Sequence, residues 1–227
     1  MNEAHVHAEH DSHFRPRVVC VIPARGGSTR LPDKNMRMFC GRPLVAWTIL
    51  AALNALTVDE VWVTSDSQRI LDLTYALAAK GYLRPEDVLV GLMATSPLRR
   101  PEDVDLAVKK YFASPERETK ILQSFVPIHE DFRWRLLNDE CATVLPPNEN
   151  DNCRFDGSMH ISTRQLYEEQ IAAKGETYWI PYLLEPWQGH DVNTIEQLGF
   201  AELVFYHYIL NDGLNPYEVY RKGGLRI

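Results

Sequence analysis

The stretch VIPARGGSTRLPDKN, residues 21–35, sets Arg25, Arg30 and Lys34 among Gly26, Gly27 and an isolated Ser28-Thr29 pair. Those residue types suit anion binding. Glycines let the backbone come close and present its N–H groups, while guanidinium and ammonium groups supply charge. The loop contains neither GxGxxG nor GxxxxGK[ST], which sets it apart from a dinucleotide site and from a P-loop. On glycines and charges alone two readings stand, a cradle for a phosphate-rich ligand or a mobile loop of solvated charges.

The elements around this loop decide where it sits. Residues 18–22 form a continuous apolar run bounded by Pro23 and Gly26, which predicts a buried strand ending at the loop. Further strands are predicted at 60–64, 88–93, 121–126, 157–161 and near 178–180, and helices at 44–56, 68–80, 101–112, 164–173 and 195–210. Strands alternating with helices through short loops imply crossover units, a parallel sheet and helices on both faces. In such sheets ligands sit beyond the carboxyl ends of the strands, where the loop after the first strand lies. Residues 127–152 break the alternation with Pro146-Pro147 and a run of Asn, Asp and Glu, which reads as an excursion or arm.

Composition narrows the classes. The chain has 227 residues, 45% hydrophobic and 24% charged, enough for one main domain at 18–210 with a full core. A net charge of -7 argues against a general nucleic-acid surface. No run approaches the roughly 18 apolar residues of a membrane span, and residues 1–17 lack the apolar segment of a signal peptide, so no membrane partner and a cytoplasmic location are expected. That tail, with His5, His7, His10 and His13, reads as a disordered tail or a loose metal-binding tract, and 211–227 is a polar, glycine-containing tail. Cys20, Cys40, Cys141 and Cys153 show neither CxxC nor zinc-like spacing, which predicts reduced thiols.

Five segments occur in one order, IPARGGSTRLPDKN, GRPLVAWTILAAL, VWVTSD, LMATSPLRRPEDVDLA and HDVNTIEQLGFAE. Together they resemble the cytidylyltransferases of the CMP-sialic acid synthetase type, also called acylneuraminate cytidylyltransferases. The resemblance implies a Rossmann-like three-layer α/β/α nucleotidyltransferase domain with a small dimerisation arm within about 127–190, and so a homodimer. It implies transfer of CMP from CTP to a nine-carbon or related 2-keto sugar acid, with Mg²⁺ and release of pyrophosphate. By position, Arg25 and Lys34 would hold the triphosphate as the catalytic cations, Ser28 would touch a phosphate, and Asn35 would lie next to the cytosine. Ala24, Gly26 and Gly27 complete the implied nucleotide site. The basic loop alone leaves a 3-deoxy-octulosonate-type acid, or another base, as an alternative, and a non-catalytic nucleotide-binding relative as a second.

The remaining motifs follow the family with changes. Asp191 and Asn193 stand where the family carries the Asp-x-Asp that holds Mg²⁺; alternate residues on an extended segment point the same way and can share one ion, whereas the other reading makes Asp191 a helix cap. Arg99, in TSPLR, either meets the sugar's carboxylate or is a solvated charge. RFDGSMH, residues 154–160, matches the family's sugar-pocket motif and offers Arg154, Asp156 and His160, with Asp156 for asparagine and His160 for tyrosine; a histidine on a strand is otherwise a packed one. Trp134, Trp179 and Trp187 read as core or dimer contacts. Met93-Ala94 replaces a Gln-Pro, Thr29 replaces a lysine, and the family's R-P-x-x-L-A-x-D segment is missing between the strands at 60–64 and 88–93.

Overall fold

The computed structural model describes residues 15–75, 83–127, 133–138, 141–145, 153–172 and 179–210. The expectations for the histidine tail, for the predicted helix past residue 75, for Pro146-Pro147 and for the tail after 210 lie outside the described residues, as do the side chains of Trp134 and Cys141.

The apolar run after Arg17 becomes strand β1 (Val18–Pro23). A two-stranded hairpin, β2 (Met38–Phe39) and β3 (Arg42–Pro43), then leads into helix α1 (Leu44–Asn54), β4 (Glu60–Thr64), α2 (Gln68–Tyr75) and β5 (Val88–Leu92). Helix α3 (Pro101–Ala113), β6 (Leu122–Pro127), a hairpin of β7 (Arg133–Asn138) and β8 (Cys141–Leu145), β9 (Cys153–Thr163), α4 (Arg164–Ala172), β10 (Ile180–Leu183) and α5 (Ile195–Phe205) follow. One π-helical turn, Tyr206–Leu210, continues α5. The six-stranded sheet has the order β10-β6-β9-β5-β1-β4. β1 pairs in parallel with β4 on one side and β5 on the other, so the winding direction of the sheet reverses between β1 and β5.

A parallel sheet was the expectation, and β9 corrects it. It runs antiparallel to both β5 and β6. The cause is the excursion: the chain leaves the end of β6, makes the β7–β8 hairpin and returns with Cys153 paired to Pro127, which forces the next strand to run backwards. The hairpin lies where an arm is expected. In the β5–β9 register His160 stands opposite Gly91, and its ring fills the space that a Cβ at Gly91 would need. Tyr167 of α4 stacks on the same ring at 5.2 Å and 7°. Val90 and Ile161, one residue along each strand, face the core shared with α3, so α4 and α3 cover opposite faces.

The β2–β3 hairpin was not expected from the sequence. Its two turn residues, Cys40 and Gly41, have φ of 45° and 84°, the paired left-handed conformation of a type I′ turn. Cys20, Cys40 and Cys153 are free thiols, as expected; burial pushes the Cys20 thiol up to about 12.

Helix α1 is apolar on every side, and every residue from Leu44 to Ala52 is buried. Val45, Ile49 and Ala52 face the sheet core, while Leu44, Trp47, Leu50 and Ala51 pack against Leu198, Ala201 and Phe205 of α5. The Trp47 ring lies 4.6 Å from that of Phe205, and its Nε1–H donates to the Phe39 carbonyl at 2.7 Å. Asp105 of α3 secures the far end of α1 by accepting from the Leu56 and Thr57 amides at 3.0 and 2.7 Å. Beyond the core, no helix among the described residues is long and apolar enough to cross a membrane.

At the amino ends of β1, β4 and β5 the fold is held by charge. Arg17 donates to Glu60 at 2.6 Å and to both carboxylate oxygens of Asp87, which is 0% exposed and also accepts from the Arg84 amide at 2.7 Å. Burial alone would raise the Asp87 carboxyl; the Arg17 hydrogen bonds, the Arg84 amide and the two positive charges overcome it and hold the group below its ordinary 3.8. Because the folded value is depressed, the stability this carboxylate contributes is present above pH 3.8 and is lost as pH falls through the folded value. Asp87→Ala is expected to cost about 3 kcal/mol at pH 7 in urea unfolding, because it removes the buried carboxylate that accepts from Arg17 and from the Arg84 amide. The gap between variant and parent should shrink below pH 3.8, and a gap that stays constant down to the folded value would refute the assignment.

Candidate active site

The site lies at the carboxyl ends of β1 and β5, where the winding of the sheet reverses. A cavity of about 300 Å³ there is lined by Pro23, Arg25, Ser28, Arg30, Lys34 and Asn35 from the loop after β1, by Met93, Ala94 and Thr95 after β5, and by Asp191 and Asn193 before α5. Three cations face one carboxylate in a chain whose net charge is -7. The basic loop therefore borders a cavity, which favours the anion cradle over the reading as solvated charges.

The loop is held from both ends. Ala24, buried, donates its amide to the Thr64 carbonyl at 2.9 Å, and the Gly26 amide donates to Asp66 Oδ1 at 2.6 Å. A Cβ at Gly26 would come within 2.7 Å of the Ser67 Cβ, so glycine is required there by close packing on the loop after β4. This revises the expectation that Gly26 offers its N–H to an anion, since Asp66 already takes it. A Cβ at Gly27 would meet nothing within 4 Å, which leaves that position as the open part of the loop. Further on, Asp33 adopts φ 54° and the chain closes into a 3-10 turn, Lys34–Met36, that aims Lys34 and Asn35 at the cavity.

Asn35 is 6% exposed; its Nδ2 donates to the Arg25 carbonyl at 2.9 Å, and its Oδ1 is buried with no protein partner. A buried acceptor without a donor is costly unless a ligand completes it. Burial is the main influence on Lys34 and lowers its ammonium below the ordinary 10.5; Asp191 works the other way, and Arg30 and Arg25 add to the lowering. Lys34 Nζ donates to Asn193 Oδ1 at 2.9 Å, Asn193 Nδ2 donates to Asp191 Oδ2 at 2.6 Å, and the Thr95 hydroxyl donates to Asp191 Oδ1. Thr95, which the motifs do not single out, thus joins the cavity wall and holds Asp191. Its place one turn past β5 is the signal that marks it.

Asp191 is not the cap of α5. That role belongs to Thr194, whose hydroxyl accepts from the Gln197 amide at 3.3 Å while Gln197 reaches back to the Thr194 amide. Among the described residues no three His, Cys, Asp or Glu side chains converge, so the protein alone builds no metal cage. The hard oxygens of exposed Asp191, with a neutral amide beside them, suit a Mg²⁺ ion that takes its other ligands from phosphate and water.

The four residues expected to bind sugar do not line this cavity. Arg99 is 3% exposed rather than solvated, and its Nη2 donates to the Ser158 carbonyl at 2.6 Å, joining the loop after β5 to β9. His160 is the packed histidine described above, and burial lowers its pKa. Arg154 is exposed at the start of β9 and donates to the Gly189 carbonyl, two residues before Asp191. Asp156 accepts from the Ser158 amide at 3.1 Å and the Ser124 hydroxyl at 3.2 Å. Arg154 thus reaches the loop that precedes Asp191, Asp156 sits two residues further along β9, and Arg99 and His160 support that strand. Trp187, half-buried, stacks on Tyr208 at 4.6 Å and has the Arg100 guanidinium 5.6 Å from its ring centre, a packing role as expected.

Asn35→Ala is expected to leave thermal unfolding close to that of the parent, because the lost bond is offset by removal of the unpartnered Oδ1. It should weaken binding of a nucleoside triphosphate about tenfold through the freed Arg25 carbonyl, measured by calorimetric titration. Unchanged affinity would remove Asn35 from the site.

The sequence model of the cytidylyltransferase family matches residues 19–93, which span β1 to the residue after β5. The chain is 45% identical to the pseudaminic acid cytidylyltransferase of Campylobacter jejuni, over 82% of this chain and 95% of that one. It is 31% identical to the CMP-N,N'-diacetyllegionaminic acid synthase of Legionella pneumophila, over 68% of this chain and 82% of the relative. The alignment to the Campylobacter protein runs over 226 positions, more than the share of this chain it covers, so that relative has segments with no counterpart here. A solved CMP:2-keto-3-deoxy-manno-octonic acid synthetase complexed with CTP superposes with a TM-score of 0.66 at 18% identity, over 85% of this chain and 99% of that one, and so shares the fold.

Proposed function

The chain belongs to the CMP-sugar acid synthetase family of cytidylyltransferases, and we propose that it transfers CMP from CTP to a nine-carbon 2-keto sugar acid of the pseudaminic or legionaminic kind, releasing pyrophosphate. The observation that carries this reading is the cation-rich cavity at the β1/β5 ends, with Lys34, Asn193 and Asp191 joined across it.

In this reading the sugar's anomeric hydroxyl attacks the α-phosphorus in line with the departing pyrophosphate; the P–O bond to pyrophosphate breaks as the new one forms, and the hydroxyl proton passes to water. Charge builds on the phosphate oxygens, so the protein's contribution is placement and fixed positive charge. Lys34, anchored on Asn193, meets the α-phosphate. Arg25 and Arg30, both exposed, clamp the outer phosphates, with the Ser28 hydroxyl beside them. Asn35, with its spare Oδ1, suits the amino group of cytosine. When bound, Mg²⁺ would neutralise charge on the leaving pyrophosphate, and Asp191, held in place by Asn193, would be its protein ligand. On the far side of Asp191, Arg154 suits the sugar's carboxylate and Asp156 its hydroxyls.

Pyrophosphate release from CTP and Mg²⁺ with a panel of nine-carbon acids and a 3-deoxy-octulosonate tests the assignment. Turnover is expected with a nine-carbon acid; turnover with the octulosonate alone would move the substrate class, and CTP binding without any turnover would leave a nucleotide-binding protein. Lys34→Ala should lower kcat about a hundredfold or more while its unfolding curve stays at that of the parent. A variant that fails to fold would contradict the role given to Lys34.

We also propose that the β7–β8 hairpin is a dimerisation arm. A two-stranded hairpin is marginal by itself in water and gains stability from a surface laid against it. Sedimentation should give twice the mass of the 26.1 kDa chain, and deletion of 133–145 should give the monomer. A parent protein that sediments as a monomer would refute the arm's role.

A further inference from the structure

We propose that Asn193 is a positioning residue that keeps Lys34 and Asp191 in place without a divalent ion, so that the protein takes up its metal only together with the triphosphate. The triphosphate part rests on the function proposed above; the metal part does not.

The side-chain amide of Asn193 has an acceptor at one end and donors at the other, and each end is used. Oδ1 accepts from Lys34 Nζ at 2.9 Å, and Nδ2 donates to Asp191 Oδ2 at 2.6 Å. Only this orientation suits an ammonium on one side and a carboxylate on the other. The backbone leaves little freedom, since the Asn193 amide donates to Gln197 Oε1 at 2.8 Å and the Val192 amide to the Thr95 carbonyl at 2.8 Å. Asp191 Oδ1 is taken by the Thr95 hydroxyl.

An aspartate at 193 would change the balance. It would set a carboxylate oxygen against Asp191 Oδ2 with no hydrogen between them, and a cation would have to enter to relieve the repulsion. The neutral amide removes that need. It also removes one ligand charge, and its carbonyl is already engaged by Lys34. No cluster of three His, Cys, Asp or Glu side chains occurs among the described residues, and the cavity lining offers a metal a single carboxylate, Asp191. One carboxylate holds Mg²⁺ or Mn²⁺ weakly, because affinity for these ions follows the number of charged oxygen ligands.

The test titrates Mn²⁺ alone into nucleotide-free protein and follows the electron paramagnetic resonance signal of the free ion. Asn193→Asp is expected to bind Mn²⁺ about tenfold or more tightly than the parent. Asn193→Ala, which removes the bridge without adding charge, should bind Mn²⁺ no better than the parent and should lose CTP affinity severalfold in calorimetry. Thermal unfolding of all three proteins checks that each is folded. Equal Mn²⁺ affinity in the parent and in Asn193→Asp would overturn the proposal, as would an unchanged CTP affinity in Asn193→Ala. The Mn²⁺ titration uses neither CTP nor sugar, so a protein that releases no pyrophosphate would sink the proposed reaction while leaving this result standing.

Discussion

Helix α1 is wedged between the sheet and α5, and the two halves of the site are brought together only because both of its faces are buried. The face carrying Val45, Ile49 and Ala52 closes the core over β1. The other face, with Trp47 and Leu50 against Phe205 and Leu198, holds α5. Each large apolar side chain buried there contributes about 2 kcal/mol. The loop before α1 carries Lys34 and Asn35, and the segment before α5 carries Asp191 and Asn193. Lys34 meets Asn193 across 159 positions of sequence because one helix fixes the distance between those two segments. A polar site assembled from distant parts of the chain needs such a rigid apolar spacer, since its hydrogen bonds are too weak singly to set the geometry.

Within that frame the site is kept electropositive by withholding carboxylates. Asp66, on the loop after β4, is turned onto the Gly26 amide and shapes the backbone. Asp33 pairs with Arg69 at 3.6 Å on the exposed side. Asp191 is the only carboxylate lining the cavity among the described residues, and two neutral donors, Thr95 and Asn193, satisfy it. The cations therefore keep their charge for a ligand, and burial of Lys34, which disfavours its charged form, makes an incoming polyanion more welcome still.

The sequence reading found what periodicity and loop chemistry encode. Residues 18–22, 60–64 and 88–92 are strands because short runs rich in β-branched and apolar residues, bounded by turn residues, suit a buried strand, and the basic loop falls at a sheet edge because it directly follows the first of them. The direction of β9 was not legible. Strand propensity carries no sign, and the reversal comes from the path of the excursion that precedes it. The Cys40-Gly41 turn was missed because a cysteine at φ 45° goes against its usual preference; its amide is held there by Glu202, 162 positions away in sequence. Arg99 and His160 resembled ligand residues by type and position. Their partners, the Ser158 carbonyl on β9 and the space above Gly91 on β5, lie on strands distant in sequence, and side-chain identity says nothing of them.

The ionic cluster of Arg17, Glu60 and Asp87 sits at the opposite ends of the same strands that present the cavity. A strand of six residues separates them by about 20 Å, beyond the range at which substitutions couple strongly. The sheet thus has a durable pole and a chemical pole. Changes that harden the protein against acid or heat can accumulate at the first without touching the second, and the cavity can drift toward a different sugar while the first supplies the reserve of stability that such drift consumes.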